Sequence, residues 1–367
     1  MRGNQDTRQA RGKPAPVQMN VDAAAGDRAF AAGIIGQVSR TFAIGIKLLP
    51  GALGQAVLTG YLLCRIADTV EDDGALPAAR RQALLQRFCA CFDDPALAAT
   101  FADEARDVHA DDAYLALLAG TDRVFRLWRS LPAPSAKIVA RWTRELAGGM
   151  AEFVGRFPAG IRIQTMEQYR RYCYFVAGTV GHLLTDLWHA HSPLVNSPTY
   201  RRLLVHCEAF GEALQTVNIL KDVAWDIEHE NAAFVPEELL RDRGSSQETI
   251  LRSDRLAENH LALMDLVAVA KEDLRLSLDY ITTIPRGAFF IRLFCILPIL
   301  LAVATLREIE RSTAMLVPGG GIKISRNEVR SLLLAGSLTT VSNRATRRLV
   351  EAVGRSPFNF GFAPNPA

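Results

Sequence analysis

The sequence predicts an all-α fold: one helical domain with a large apolar interior. Three observations carry this. Apolar residues recur at three- and four-residue spacing through the middle of the chain, and period-2 alternation is rare. Prolines fall mostly between the periodic stretches, at Pro50, Pro77, Pro132, Pro134, Pro193, Pro198, Pro236, Pro285 and Pro318. No repeat and no break in composition marks a linker, so residues 25–354 of the 367 are assigned to a single domain.

In chain order, residues 1–24 hold Arg2, Arg8, Arg11 and Lys13 with little that can pack, and read as a disordered N-terminal tail. Being Arg-rich and acid-poor, this tail keeps an organelle-targeting reading open beside the cytoplasmic one. The periodicity then predicts helices over 28–46, 51–73, 77–92, 111–130, 135–157, 165–191, 198–229, 246–280, 286–315 and 326–353. Asp94-Pro95 and Ser197-Pro198 read as capping residues followed by first-turn prolines. The most apolar stretch, 289–306, is cut by Arg292 and Pro298, and its uncharged run is too short to cross about 30 Å of hydrocarbon. A core helix is therefore expected there. From 326 to 355 there are six arginines and two glutamates, a net +4. A solvated face is the ordinary reading of Arg344, Arg347 and Arg348, and peripheral contact with an anionic membrane surface is the sharper one. Residues 355–367 read as a polar C-terminal tail without an anchor.

Composition excludes several classes. With 49% apolar residues the chain is not globally disordered. Lys and Arg number 42 against 39 Asp and Glu, a net charge of +3 with no basic block, so nucleic acid is not an expected partner. Six cysteines without CxxC spacing read as buried thiols in a reducing compartment. His182, His189, His191 and His206 lack metal-ligand spacing and read as structural or surface residues. The mean hydropathy of +0.08 suggests much buried apolar surface or an interior shaped for an apolar ligand.

Two helices carry polar stripes where a buried face is expected. In 51–73, Tyr61, Arg65, Asp68 and Asp72 follow i, i+4, i+7, i+11, among Leu62, Leu63, Ile66 and Val70. In 198–229, Gln215, Asn218, Asp222 and Asp226 follow i, i+3, i+7, i+11, among Leu214, Val217, Leu220 and Val223. Each stripe ends in carboxylates four apart. Like charges at that spacing repel unless a cation or base neutralises them. Two such stripes face to face would rim a cavity with hard oxygen ligands suited to Mg²⁺, which bridges carboxylates to a substrate phosphate. Arg65 would meet the phosphate directly. The implied chemistry is diphosphate binding and ionisation.

These residues resemble the squalene/phytoene synthase family of head-to-head prenyl transferases. The matching segments are Ser39-Arg40-Thr41-Phe42, Tyr61 to Asp73, Tyr172 to Gly181 and Gln215 to Asp226, and the resemblance covers roughly residues 28–340. Phe294-Cys295-Ile296-Leu297-Pro298 and Lys323-Ile324-Ser325-Arg326 are most similar to the squalene-forming members. The resemblance implies an isoprenoid-synthase-type helical bundle around a central apolar cavity, acting as a monomer on two farnesyl diphosphates. It implies condensation to presqualene diphosphate, then NADPH-dependent reductive rearrangement to squalene.

Site roles follow residue by residue. Asp68, Asp72, Asp222 and Asp226, with Asn218, would hold Mg²⁺. Ser39, Arg40, Phe42, Tyr61, Arg65, Gln215, Lys221 and Phe294 would contact substrate. Tyr172 would manage a proton in the first half-reaction, although a neutral phenol is a weak base. Lys323 and Arg326 would contact the NADPH phosphates. No GxGxxG follows a strand, and Gly319-Gly320-Gly321 reads more simply as a turn than as a phosphate loop. Gly178 and Gly181 read as close helix-packing positions. Lys221 stands where the family usually has arginine, Trp225 where an acidic residue is common, and Ala232 where arginine is common. These departures thin the charge around the second aspartate pair, and a relative that omits the reduction is the alternative. A non-catalytic relative would be expected to lose the aspartates that this chain keeps.

Overall fold

Ser39 breaks the first expected helix in two. In the computed structural model, which describes residues 21–361, α1 (Val21–Val38) ends there and α2 (Arg40–Leu48) begins. Ser39 is extended, and its hydroxyl accepts from the Phe42 amide at 3.2 Å, the bond of a helix N-cap. α1 starts inside the segment expected to be a disordered tail; residues 1–20 of that segment lie outside the described residues. So does the side chain of Arg40.

α3 (Gly51–Glu71) and α4 (Ala78–Ala90) form as expected. α5 (Pro95–Glu104) was absent from the expected set, although Asp94 does cap it, accepting from the Ala96 amide. The helix expected over 111–130 divides at Gly120 into α6 (Asp112–Ala119) and α7 (Thr121–Ser130), and α8 (Ala133–Arg156) follows. The stretch 165–191 is α9 (Met166–Cys173), a π-helical turn (Tyr174–Gly178) and α10 (Thr179–His191). The stretch 198–229 divides into α11 (Ser197–Leu204), capped by Asn196 rather than Ser197, and α12 (Cys207–His229). The short α13 (Glu237–Asp242) is additional. α14 (Leu256–Thr283) begins later than expected, because 246–255 is a series of turns held by Ser245, Thr249 and Asn259. α15 (Phe289–Arg311) is continuous, and the last expected helix is a pair, α16 (Arg326–Thr339) and α17 (Asn343–Arg355).

α12 runs through the centre, packed against α14, α15, α10 and the π-helical turn. Its approach to α10 and to the π-helical turn is a backbone contact. A Cβ on Gly181 would lie 1.8 Å from the Cys207 carbonyl oxygen, and one on Gly211 would lie 2.0 Å from that of Ala177. Gly181 is thus a packing glycine, as expected. α3 lies along α8 and α7.

α15 is long and apolar enough to span a membrane by composition, yet 83% of its most apolar window is buried in the protein. Its two interior arginines are structural. Arg292 donates to the carbonyls of Ile281, Ile284 and Thr340 and to Asn343, so it caps the end of α14 and binds the α16–α17 turn. Arg307 pairs with Glu328 at 2.8 Å and donates to the carbonyls of Val353 and Ser356. Part of the segment expected to be a polar C-terminal tail returns to this hub: the Phe358 amide donates to Glu328 and that of Phe360 to Ser331. Residues 362–367 lie outside the described residues.

Candidate active site

The stripes on α3 and α12 face one another across a cavity with two parts. The outer part, about 560 Å³, is lined by Arg65, Asp68, Asp72, Tyr172, Asp222 and Asp226 among others. The inner part, about 370 Å³, is lined mainly by apolar groups, including Phe42, Leu146, Leu184, Phe294, Pro298 and Leu301. Arg65, Asp68, Val176, Gln215, Asn218 and Lys221 border both, so the two parts are continuous. Charge therefore sits at the mouth and hydrocarbon behind it.

Two local distortions aim these groups. The π-helical turn begins two residues after Tyr172; such turns re-aim the side chains beside them. α12 kinks at Asp222, whose φ of −110° and ψ of 16° lie near the bridge region rather than in the helical well. A third device joins the ends of the stripes. A Cβ on Gly74 would lie 2.5 Å from the Glu230 carbonyl oxygen, so only glycine lets the turn after α3 touch the end of α12. Beyond that contact, residues 161–163 and 233 pair as a short parallel ladder. The ladder seats Phe234 against the Tyr172 ring, with centroids 4.8 Å apart.

The electrostatics at the mouth are one-sided. Asp226 is raised to about 8, by burial first and then by Asp222 and Asp72. Asp72 is held well above the usual carboxylate range by burial, Glu230 and Asp68. Asp68 is raised by burial, against the pull of Arg65 at 3.4 Å. Burial opposes the charge on Arg65, but Asp68, Tyr61 and Asp72 raise its pKa overall, so it is a fixed cation. The Arg65 guanidinium lies 6.0 Å from the Tyr61 ring centroid and 5.6 Å from that of Tyr114, a cation–π pair on both sides. Lys221 pairs with its neighbour Asp222 at 2.7 Å.

Two carboxylates that the stripes did not single out complete the set. Glu71, only 4% exposed, has Oε1 without a hydrogen-bond partner and is raised well above its usual range by burial and Asp72. Glu230 is raised to about 8, by burial, Asp226 and Glu71. Its signal was in the sequence, since it extends the Gln215 stripe by one further turn. Tyr114 had no such signal, because it reaches Arg65 from α6 through tertiary packing. Tyr172 is buried, and burial, Glu71 and Asp72 raise its pKa far above that of a free phenol, so at neutral pH it is a proton donor.

The donor set fits a hard divalent cation. Seven carboxylates line the mouth, one of them with an orphaned buried oxygen, against the two cations Arg65 and Lys221, so the site lacks positive charge. Among the described residues, no three His, Cys, Asp or Glu side chains gather closely enough to chelate a metal alone. That arrangement suits Mg²⁺ shared with substrate phosphate, since Mg²⁺ needs only one or two protein carboxylates.

The remaining expected residues divide. Phe42, Tyr61, Gln215, Asn218, Lys221 and Phe294 line the cavity. Ser39 does not; its hydroxyl is engaged as the α2 cap. Lys323 and Arg326 are exposed, at the approach to and start of α16, and line neither part. The glycine-containing turn before them is tied to α12 by the Gly319 amide, which donates to Glu228.

The fold and the paired acidic stripes define the class: an all-α, isoprenoid-synthase-type bundle around a central apolar cavity. The profile of the squalene/phytoene synthase family matches residues 35–328, and the chain belongs to that family. The squalene synthase of Schizosaccharomyces pombe is 28% identical over 303 residues, covering 82% of this chain and 63% of its own length. Squalene synthase BSS of Botryococcus braunii is 30% identical over 310 residues, covering 84% of this chain and 64% of its own. The chain thus spans a little under two thirds of these relatives. Among solved structures, TcSQS with the ligand BPH1237 superposes with a TM-score of 0.78 at 24% identity, over 92% of this chain and 94% of that one. Squalene synthase HpnC from Alicyclobacillus acidocaldarius gives 0.56 at 19% identity, over 80% of this chain and 97% of that one.

Proposed function

We propose that the chain joins two farnesyl diphosphates head to head to presqualene diphosphate, and then reduces and rearranges this to squalene with NADPH. The observation that carries the reading is a carboxylate-rimmed mouth continuous with an apolar cavity. Such a shape holds a diphosphate at its entrance and a prenyl chain behind it. Asp68, Asp72, Asn218, Asp222 and Asp226 would hold magnesium, which when bound would neutralise the diphosphate and make it a better leaving group. Arg65 adds a fixed positive charge at the same place. The apolar walls, Phe42, Leu146, Phe294 and Leu301, exclude water that would capture an allylic cation. Tyr172 holds its proton and orients it at the mouth; removal of the proton lost in the first condensation then falls to the departing diphosphate, with the phenol as positioning donor. Lys323 and Arg326 are the cations that would meet the phosphates of NADPH, which when bound would supply the hydride of the second half-reaction.

Incubation with farnesyl diphosphate and Mg²⁺, with and without NADPH, tests this. Squalene formed only with NADPH is the expected result. Dehydrosqualene or phytoene formed regardless of NADPH replaces it with the non-reducing alternative, which the position of Lys323 and Arg326 outside the cavity favours. Asp222→Asn should abolish turnover with the helical circular-dichroism spectrum intact, and normal turnover in that variant removes the metal assignment.

A further inference from the structure

α16 packs on α15 through Leu332, Ala335 and Gly336, and its opposite face carries an apolar stripe with no partner among the described residues. Leu334, Leu338 and Val341 are 45%, 67% and 54% exposed. With Arg330 they follow i, i+4, i+8, i+11, one line down the helix and into the turn beyond it. Isolated exposed apolar residues need no explanation, but three in register on one face do.

The charges at both ends of the stripe indicate what covers it. Arg330 stands at one end, and Arg344 and Arg348 open α17 at the other. All three are exposed, and among the described residues none makes an ion pair. Arg347 differs: it pairs with Asp279 at 2.9 Å and donates to Thr282, so it belongs to the fold rather than to this face. No acidic residue lies on the line from 330 to 341. A second copy of the chain would bring these cations against their own counterparts in a two-fold contact. A free anion would leave the apolar stripe without a role. An anionic lipid surface answers both: arginines in the headgroup layer and aliphatic side chains at the acyl boundary.

We propose that the α16–α17 corner is a peripheral docking face for anionic bilayers, with Leu334, Leu338 and Val341 inserting and Arg330, Arg344 and Arg348 holding the headgroups. The face lies one helix away from the ligand cavity. α16 touches Leu297 and Leu300 of α15, while Phe294, Pro298 and Leu301 of the same helix line the inner cavity. Docking here would set an apolar cavity beside an apolar phase.

The test is co-sedimentation of the full chain with sucrose-loaded vesicles of phosphatidylcholine, with or without phosphatidylglycerol. Binding is expected only with phosphatidylglycerol, and it should fall steeply as salt is raised. Arg344→Gln and Arg348→Gln should each weaken it about fivefold. Leu334→Ser with Leu338→Ser should weaken it about tenfold or more. All these positions are exposed, so thermal melts of the variants should match the parent. Equal binding by the parent and both sets of variants overturns the proposal, as does failure to bind phosphatidylglycerol vesicles. A concentration-dependent dimer that Leu338→Ser abolishes would assign the face to a second copy instead. None of these readouts uses substrate, so the proposal stands or falls separately from the catalytic reading.

Discussion

Replacing Gly74 by alanine tests whether the meeting of α3 and α12 assembles the mouth. The added Cβ would lie 2.5 Å from the Glu230 carbonyl oxygen, where an ordinary C···O contact is about 3.3 Å. The shortfall of about 0.8 Å falls on two backbones, and neither can rotate away as a side chain would. Gly74 is not among the positive-φ glycines, so alanine brings no backbone penalty and the clash is the whole perturbation. Overpacking of this kind costs about 1–3 kcal/mol. The displacement separates Glu71 and Asp72 from Asp226 and Glu230, and misplacement on the order of 1 Å can cost about 100-fold in rate. The assays are a thermal melt and farnesyl diphosphate consumption. Gly148→Ala is the control, since its Cβ meets nothing within 4 Å and should be neutral or slightly stabilising. If Gly74→Ala keeps parental stability and parental turnover, the close approach does not organise the site and the reasoning fails.

Two further outcomes follow from buried charge. Asp226 and Glu230 are raised from 3.8 and 4.5 to about 8, so they favour the folded state below their ordinary values and lose that contribution as pH rises towards 8. The metal-free melting temperature should therefore fall between about pH 5 and about pH 8. Asp226→Asn should flatten that slope, and Mg²⁺ with inorganic pyrophosphate should reverse it; a flat profile in the parent would falsify the reading of the mouth as short of positive charge. At the other end of the molecule, Arg307→Met leaves Glu328 buried without its cation and strips the Val353 and Ser356 carbonyls of their donor. Loss of about 3–5 kcal/mol in chemical denaturation is expected, and a loss below about 1 kcal/mol would show that the hub contributes little.

How far the sequence could be read depended on the range of the interaction. The stripes were legible because helical periodicity is local: Tyr61 to Asp72 and Gln215 to Asp226 needed only a count of residues to be placed on single faces. The packing of α15 was legible for the same reason. Breaks inside periodic stretches were not, because apolar spacing continues through Ser39, Gly120, the Tyr174–Gly178 turn and Thr340 with no change of composition. Partnerships across the fold were least accessible. Arg347 and Arg348 look alike in sequence, but only Arg347 meets Asp279. Lys323 and Arg326 lie in a matching segment, yet the fold leaves both outside the cavity.

Gln247, in the turns before α14, donates its side-chain amide to the carbonyls of Ile163 and Val235. It thereby clamps the ladder that seats Phe234 on Tyr172. One wall of the cavity is thus neither helix nor loop tip, but a splice between two linkers pinned by a third. In engineering terms this is a remote adjustment point. Gln247 is two contacts away from the Tyr172 ring, through Val235 and Phe234, and it is not among the residues that line the mouth.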